Sequence, residues 1–311
     1  MADFSRKVAP KTIKNLKTEP LFAKLRGSID KGEVLMAIRG GYVSFYYKGG
    51  SLFKYDTAFK THIKYGFVPK NENGYVSKEL LAKREKRADF EDAYKQIKAR
   101  CALYAGLEAA GVSELHKFSY AKEDPKARYV LLDTEIALDA RKQGLEAEEA
   151  AEEAKSEEDR VLEIEAFSSP ETAAIKTRTS DRIDLLLMDT VTGQLLFCEA
   201  KHFSNKELRS GAIEEQLERY REQIVKNRGD ILTQYRDEYR KAVRDLLNIE
   251  LPEPIDICDK CGLLIFGFDS AQRAITLPGI KERVEKAGYP VYAIGDMKGI
   301  KAETLFTELA N

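Results

Sequence analysis

Apolar side chains recur at two different spacings in the first part of the chain. Over residues 11–27 they recur every three or four positions, which predicts an amphipathic helix that Pro20 divides into two pieces. From 33 to 67 apolar and polar residues alternate, which predicts an antiparallel meander. The glycines of the segment 48–50 can adopt the positive φ angles of a tight hairpin, so we place a turn there.

A helical spacing returns after the meander. Apolar residues recur every three or four positions from about 78 to 110, with Ser77 in the position of an N-cap, so one long helix is predicted. Cys101 lies on the apolar stripe of this helix, which predicts a core residue rather than a ligand or a nucleophile. Together these elements predict an α+β module over residues 1–128.

Strands and helices alternate beyond Pro125, so we place a second domain over residues 129–311. Its predicted elements are a strand at 129–137, a hairpin at 182–201, helices at about 212–227 and 229–247, a strand at 263–268, a helix at 279–287 and a strand at 290–294. This order predicts an α/β fold with a mixed sheet flanked by helices. An Ala- and Glu-rich run at about 140–160 is predicted to be an acidic insertion without an assigned role.

The composition is that of a folded protein and excludes several classes. Of the 311 residues 43% are hydrophobic and 33% are charged, which excludes a collagen or a wholly disordered chain. No apolar run approaches the roughly 18 residues that a membrane-spanning helix needs, and the first 20 residues lack the apolar core of a signal peptide. The 4 cysteines are too few and too unevenly spaced for a disulfide framework. We therefore expect a cytoplasmic protein without a membrane partner.

The net charge of −1 is unevenly distributed along the chain. Residues 1–128 carry +11, residues 129–170 carry −9 and residues 171–311 carry −3. A basic first part is expected of a protein that binds a polyanion such as nucleic acid. A solvated lysine-rich surface would give the same charge and is the alternative.

Lysines in the meander are interleaved with aromatic residues. Aromatic rings can stack on bases while lysines contact phosphates, which suggests a nucleic-acid interface. Its candidate residues are Lys48, Lys54, Lys60 and Lys64. Core packing or a dimer interface is the alternative, because any half-buried sheet alternates aromatic and polar positions.

The hairpin at 182–201 carries the residues that point to chemistry. If the turn of this hairpin is centred between residues 191 and 192, the numbers of two paired residues sum to 383. Asp184 then lies opposite Glu199, and Lys201 is on the same face of the sheet. Two carboxylates about 5 Å apart on an apolar sheet repel each other and need a compensating cation. Lys201 can neutralise one of them, whereas Mg²⁺ or Mn²⁺ would stabilise both. A water activated by such a metal beside a lysine of lowered pKa would suit phosphodiester hydrolysis.

Asp184 and the triplet Glu199-Ala200-Lys201 resemble the core motif of the PD-(D/E)XK nuclease superfamily. The residue before the aspartate is Ile183 rather than the proline of the superfamily's name motif. Downstream, Gln216 and Tyr220 resemble the Gln-x-x-x-Tyr helix motif of its RecB-like branch, and their spacing places them on one helix face.

This resemblance implies a restriction-endonuclease-like fold and a role for each motif residue. The implied roles are catalysis and metal binding for Asp184 and Glu199, catalysis for Lys201, and substrate binding for Gln216 and Tyr220. Many members have a further acidic residue upstream. We assign that metal-binding position to Glu135, with Asp133 as a weaker candidate.

The resemblance covers about residues 129–296 and implies a Mg²⁺- or Mn²⁺-dependent nuclease acting on DNA, in prokaryotic defence, restriction or repair. Two alternatives stay open: a nucleic-acid-binding or assembly protein that does not cut, and an effector nuclease active only with a partner or ligand. The sequence contains no phosphate-binding Gly-x-x-x-x-Gly-Lys-Ser/Thr loop of a helicase motor. We therefore also consider a homodimer, or a partner protein that supplies a motor or activation.

Overall fold

The computed structural model describes residues 4–66, 74–85, 89–120, 128–138, 182–298 and 300–301. In these ranges the chain forms two β-sheets with helices packed on them, a mixed α/β architecture. Buried apolar side chains from both sheets belong to one hydrophobic core. Across the same ranges, no helix combines the length and apolar character needed to cross a membrane. Pro125 and the acidic run at about 140–160 lie outside the described residues.

The first sheet is an antiparallel meander, as the alternating pattern predicts. Its strands follow one another across the sheet as β1 (Leu35–Arg39), β2 (Tyr42–Tyr47), β3 (Gly50–Tyr55), β4 (Phe59–His62) and β5 (Tyr75–Ser77). Between β2 and β3, Lys48 and Gly49 have φ angles of 51° and 80°, so the predicted tight turn is present.

Helices precede this sheet, interrupt it between β4 and β5, and follow it, and Pro20 separates the first two as predicted. They are α1 (Pro10–Thr18), α2 (Pro20–Asp30), α3 (Ile63–Gly66), α4 (Lys78–Glu85), α5 (Phe90–Leu103) and α6 (Leu107–Ser113), followed by a 3-10 helix at Glu114–Phe118. Helix α5 packs on the sheet, where the rings of Phe90 and Tyr94 lie 5.5 and 6.2 Å from that of Phe53. Cys101 on the same helix is buried, as predicted.

The single long helix predicted from about 78 to 110 is wrong, because this stretch contains three helices. Asp89 has an extended backbone and accepts a hydrogen bond from the backbone N–H of Asp92, so it starts α5 as an N-cap. Gly106, also extended, precedes α6. Ser77 does cap α4, as predicted. Capping residues therefore divide a stretch whose apolar periodicity is continuous.

The second sheet is mixed. Its strands are β6 (Tyr129–Ile136), β7 (Ile183–Asp189), β8 (Gln194–His202), β9 (Asp256–Ile257), β10 (Gly262–Phe266) and β11 (Val291–Ile294). Strands β6, β7 and β8 pair antiparallel, and β8 pairs on its other side with β9 and β10, both parallel to it. Strand β11 extends the sheet beyond β10. Strand β8 is therefore a central strand of the sheet, and most of its side chains are buried.

Helices cover the second sheet. They are α7 (Glu207–Ser210), α8 (Ala212–Thr233), α9 (Arg240–Leu247), α10 (Ser270–Ile275) and α11 (Leu277–Lys286). The predicted break near residue 228 is wrong: α8 continues past Gly229, and a π-helix at Gln234–Tyr239 joins it to α9. Ile224 and Ile231 are fully buried on either side of Gly229, so packing outweighs the low helix propensity of glycine.

A buried ion-pair network joins the two sheets. Asp133 on β6 is 0% exposed, and its carboxylate accepts hydrogen bonds from Arg39 of β1 at 2.7 Å and from Arg6 at 3.2 Å. The Tyr235 hydroxyl donates to the same carboxylate at 2.6 Å. The register of β6 shifts at Leu132, which marks a β-bulge beside Asp133. Two buried cations thus share one carboxylate, and this contact ties β1 to β6.

Folding stability should fall in acid because of His116 in the 3-10 helix. Burial lowers the pKa of this imidazole from 6.5 to about 4. The unfolded chain therefore takes up a proton as the pH falls below about 6.5, whereas the folded chain does not until about 4. Across this window we expect a loss of about 3 kcal/mol. Urea unfolding at several pH values gives the free energy of unfolding, which should depend less steeply on pH in His116→Leu than in wild type. The same pH dependence in the two proteins would contradict this account.

Candidate active site

The predicted hairpin brings the candidate catalytic residues to one end of the second sheet. Its register pairs Leu185 with Cys198, so paired residue numbers sum to 383, as predicted. Asp184 and Glu199 follow immediately beyond this pair, and Lys201 lies two residues further along β8. Glu199 and Lys201 are buried, and Asp184 is half-buried.

Glu199 lies at the centre of the hydrogen bonds in this cluster. Its Oε1 accepts from the Lys201 Nζ at 2.9 Å and from the Gln216 Nε2 at 3.0 Å. Its Oε2 is buried and has no hydrogen-bond partner among the described residues. A buried polar atom left without a partner costs about 1–3 kcal/mol. This oxygen is therefore suited to a cation or donor supplied from outside the chain.

Lys201 lies between two carboxylates. Its Nζ is 2.9 Å from Glu199 and 2.8 Å from Glu207. Burial by itself lowers the pKa of Lys201, but the attraction and hydrogen bonds of the two carboxylates outweigh burial, so the net shift is upward. The expectation of a lysine with a lowered pKa is therefore wrong. The raised pKa favours the protonated form of Lys201, whose ammonium donates to both carboxylates.

Asp184 has a less compensated environment than Glu199. Its Oδ2 accepts a hydrogen bond from the backbone N–H of Ala200 at 2.7 Å. Burial, and then the charges of Glu199 and Glu135, raise the pKa of Asp184 well above its usual range. The two carboxylates thus repel each other, as the sequence analysis expects. A positive charge placed next to Asp184 would favour its ionised form.

Helix α8 places the Gln216 and Tyr220 side chains next to Glu199. The Gln216 Nε2 donates to Glu199 and also to the Tyr220 hydroxyl, at 2.8 Å. The Tyr220 hydroxyl donates to the backbone carbonyl of Arg182 at 2.6 Å. Because Tyr220 is 1% exposed, its ring packs in the core. Its hydroxyl therefore orients Gln216, and Gln216 is the half-buried member of the pair that faces the cluster.

Glu135 lies near Asp184 but also faces Arg182. Its Oε2 is 4.0 Å from the Arg182 Nη1, and its charge contributes to the raised pKa of Asp184. Its φ angle of 53° is uncommon for a residue other than glycine. The weaker candidate Asp133 belongs to the buried arginine network instead, which explains why its carboxylate is not part of this cluster.

Two further carboxylates lie near Glu199 and were not predicted from the sequence. Glu207 on α7 binds Lys201, and Glu108 on α6 accepts hydrogen bonds from the backbone N–H of His202 at 3.1 Å and from the Asn205 amide at 2.7 Å. Burial raises the pKa of Glu199, the charge of Lys201 lowers it, and Glu108 and Glu207 raise it further. The cluster therefore contains more carboxyl groups than basic groups.

The position of Glu108 depends on close packing of α6 against the second sheet. A Cβ atom at Gly111 would collide with the ring of Phe266 on β10. Only glycine allows this approach, so Gly111 is the sequence signal that α6 lies against another element. The partner element cannot be read from that signal, because Gly111 and Phe266 are far apart in the chain.

The cluster has part of the character of a divalent-cation site. Within the residues that the structure describes, no group of three or more His, Cys, Asp or Glu side chains is arranged to hold a metal ion. Mg²⁺ nevertheless often takes only one or two carboxylates and keeps several waters. The unpartnered Oε2 of Glu199 and the raised pKa of Asp184 both fit a cation held by these two residues.

The four lysines predicted to contact nucleic acid lie in and beside the first sheet and have partners within the chain. These partners are Glu114 for Lys48 (3.1 Å), the Tyr42 ring for Lys54 (3.7 Å), Asp56 for Lys60 (2.7 Å) and the Tyr104 ring for Lys64 (5.1 Å). Lys54 and Lys60 are directly paired across β3 and β4. The carboxylate of Asp56, bound to Lys60, partly compensates the two like charges opposed in this way.

Comparison of the chain with models of protein families, with curated proteins and with solved structures gives no match. The resemblance to PD-(D/E)XK nucleases therefore rests on the motif residues and their arrangement. The structure itself establishes a mixed α/β fold in which antiparallel and mixed sheets are flanked by helices.

Proposed function

We propose that the protein is a Mg²⁺- or Mn²⁺-dependent nuclease that hydrolyses DNA phosphodiester bonds. The observation that carries the proposal is the cluster of Asp184, Glu199, Lys201 and Gln216, in which one buried carboxylate oxygen of Glu199 has no partner among the described residues. Like charges buried together destabilise the apo protein, which is expected where a cation binds. A restriction-endonuclease-like fold, a cytoplasmic location and a role in prokaryotic defence, restriction or repair belong to the same proposal.

Each residue of the cluster has a role that its contacts allow. Asp184 and Glu199 would hold the cation, with Glu135 beside them. When bound, the cation would polarise the phosphodiester and lower the pKa of a water. Lys201, as a cation, would donate to the negative charge that develops on the phosphate oxygens. Gln216 would hold the Glu199 carboxylate in position.

The decisive experiment incubates the purified protein with linear and circular DNA, in Mg²⁺, Mn²⁺ or a chelator. Loss of DNA with either metal and not with the chelator supports the proposal, and loss of circular DNA identifies an endonuclease. Intact DNA under all conditions, combined with tight binding, would instead support a nucleic-acid-binding protein that does not cut.

A second candidate is an effector nuclease that a partner or ligand activates. The observation that favours it is the position of Lys201, whose ammonium is engaged by Glu199 and Glu207 at the same time. An activator that displaced Glu207 would leave one N–H group of the Lys201 ammonium available to donate to the phosphate. Glu207→Gln should then raise cleavage by the protein alone, whereas Glu215→Gln on α8, an exposed acidic residue, should not.

Gln216→Ala is expected to lower kcat/KM for DNA cleavage by one or more orders of magnitude. The variant loses a hydrogen bond to a charged group, which is worth about 1.5–3 kcal/mol. Thermal stability should fall as well, because Gln216 makes its hydrogen bonds to Glu199 and Tyr220 in the folded protein without substrate. Cleavage is therefore compared at a temperature at which both proteins are folded. Glu215→Ala, at the adjacent exposed position, is the matched control. Unchanged cleavage in Gln216→Ala would argue against the resemblance to the RecB-like branch but not against the proposed metal site.

The lysines of the first sheet are expected to contribute to DNA binding. Charge reversal of all four, Lys48, Lys54, Lys60 and Lys64, should reduce the steepness of the salt dependence of Kd. Each lost phosphate contact lowers the log–log slope by about 0.9 on duplex DNA. A variant with reversed charges at Lys11 and Lys14 of α1, both exposed, is the control. An unchanged slope would place the interface elsewhere.

A further inference from the structure

Three large apolar side chains project into solvent where α5 meets α6. Leu103, Tyr104 and Leu107 are 82%, 51% and 66% exposed. We call these three residues the α5–α6 knuckle. Exposed large apolar side chains are few among the described residues, and here three of them lie within five positions. Such clustering marks an interaction surface more often than isolated exposed residues do.

The knuckle lies next to the carboxylate cluster. Leu107 precedes Glu108, whose carboxylate accepts the backbone N–H of His202, and His202 directly follows Lys201. Gly111 on the same helix packs against Phe266 of the second sheet, so α6 is held firmly over the end of β8. A nucleic-acid strand with a phosphate bound at Lys201 would therefore pass beside the knuckle.

Positive charge and aromatic rings continue from the knuckle onto the first sheet. The Lys64 Nζ lies 5.1 Å from the centre of the Tyr104 ring, and the Tyr65 ring lies 6.0 Å from it. Residues 1–128 carry a net charge of +11. Lys64 thus places a positive charge at the knuckle, and the net positive charge of residues 1–128 suits a polyanion better than a basic protein surface.

We propose that the α5–α6 knuckle contacts the bases of a bound nucleic acid next to the phosphate at the carboxylate cluster. This inference rests on the proposed function, because it assumes that nucleic acid reaches the cluster. Several carboxyl groups lie at the cluster, so contacts with the uncharged bases would add to the attraction that Lys64 and Lys201 offer the phosphates. Exposed leucines and a tyrosine ring can contact base faces, whereas they give little to phosphates.

The test compares binding of two probes by fluorescence anisotropy in a chelator, so that no cleavage is required. One probe is a short oligothymidylate, and the other is an abasic oligomer with the same number of phosphates. Wild type should prefer the oligothymidylate. The triple variant Leu103→Ser/Tyr104→Ser/Leu107→Ser should bind it roughly tenfold more weakly, the size of effect expected for a lost base–aromatic stack. Its affinity for the abasic oligomer should be unchanged.

Ile275→Ser on α10, at a side chain that is 79% exposed, is the matched control and should behave as wild type. Tyr104→Ser alone provides a second variant should the triple variant unfold, and it should lose part of the preference. Equal losses on both probes, or no loss on either, would overturn the inference. So would a triple variant that binds normally but loses self-association, since the knuckle would then be a protein interface.

The two proposals can fail separately. If wild type cleaves DNA and the knuckle variants keep the preference for bases, the inference fails and the proposed function stands. If wild type cuts no DNA in any metal yet prefers bases through the knuckle, the inference stands and the nuclease proposal fails.

Discussion

Glu199→Gln and Asp184→Asn should each lower DNA cleavage at least 1000-fold, about 4 kcal/mol of transition-state stabilisation. Both substitutions keep the side-chain shape and remove one negative charge from the proposed cation site. The cation would lose one of its two charged ligands, and its affinity should fall with the rate. Cleavage rates at saturating Mg²⁺, and Mn²⁺ binding measured by calorimetry, test this expectation. Variants that cut as well as wild type would end the nuclease interpretation of the hairpin.

Stability measurements on the same two variants should distinguish the electrostatic repulsion at Asp184 from the stabilising ion pair of Glu199 with Lys201. Asp184→Asn should leave apo stability unchanged or raise it, because burial and neighbouring charges already disfavour the ionised carboxylate. Glu199→Gln should lower apo stability by about 1–2 kcal/mol, because Lys201 loses one of its two carboxylates. Urea unfolding in a chelator gives both values. A large loss of stability in Asp184→Asn would contradict the repulsion inferred at the site.

Local sequence patterns were sufficient to predict the hairpin and its register. The alternation of β7 and β8 and the turn near Gly193 fix which residues face each other, so Asp184 and Glu199 could be paired from the sequence. The contact between Gln216 and Tyr220 also follows from helix periodicity. These contacts lie within one hairpin or one helical turn, where spacing along the chain determines spacing in the fold.

Contacts between distant elements could not be predicted in this way. Glu108 reaches the cluster only because α6 packs against the second sheet, and no local pattern connects α6 with β8. The pKa of Lys201 is raised first by the charge of Glu199 and then also by Glu207, which comes from a separate short helix after β8. The lowered pKa expected for Lys201 was wrong partly for this reason, since the sequence shows Glu199 nearby but not that Glu207 also contacts the lysine.

Asp133 is another residue whose distant contacts could not be predicted from the sequence. It is two positions from Glu135 on the same strand, which makes it a reasonable candidate for a metal ligand. In the fold its carboxylate instead accepts hydrogen bonds from Arg6 and Arg39, which are 1% and 2% exposed, and from Tyr235. Its expected contribution is therefore to stability rather than to catalysis.

Asp133→Ala should lower the free energy of unfolding by about 3–5 kcal/mol, because it leaves two buried guanidinium groups without their carboxylate. Asp256→Ala is the matched control. Its carboxylate is also paired with an arginine on the second sheet but is 51% exposed, so the expected loss is below about 1 kcal/mol. Urea unfolding followed by circular dichroism measures both variants.

An apolar replacement of the whole network distinguishes loss of charge balance from loss of packing. In the triple variant Arg6→Met/Arg39→Met/Asp133→Leu no charge is left buried, so much of the stability lost in Asp133→Ala should return. Recovery would show that the uncompensated arginines, rather than the missing side-chain volume, destabilise Asp133→Ala. If Asp133→Ala loses no more stability than Asp256→Ala, the network does not hold the two sheets together. In that case the contact between β1 and β6 depends on the shared hydrophobic core alone.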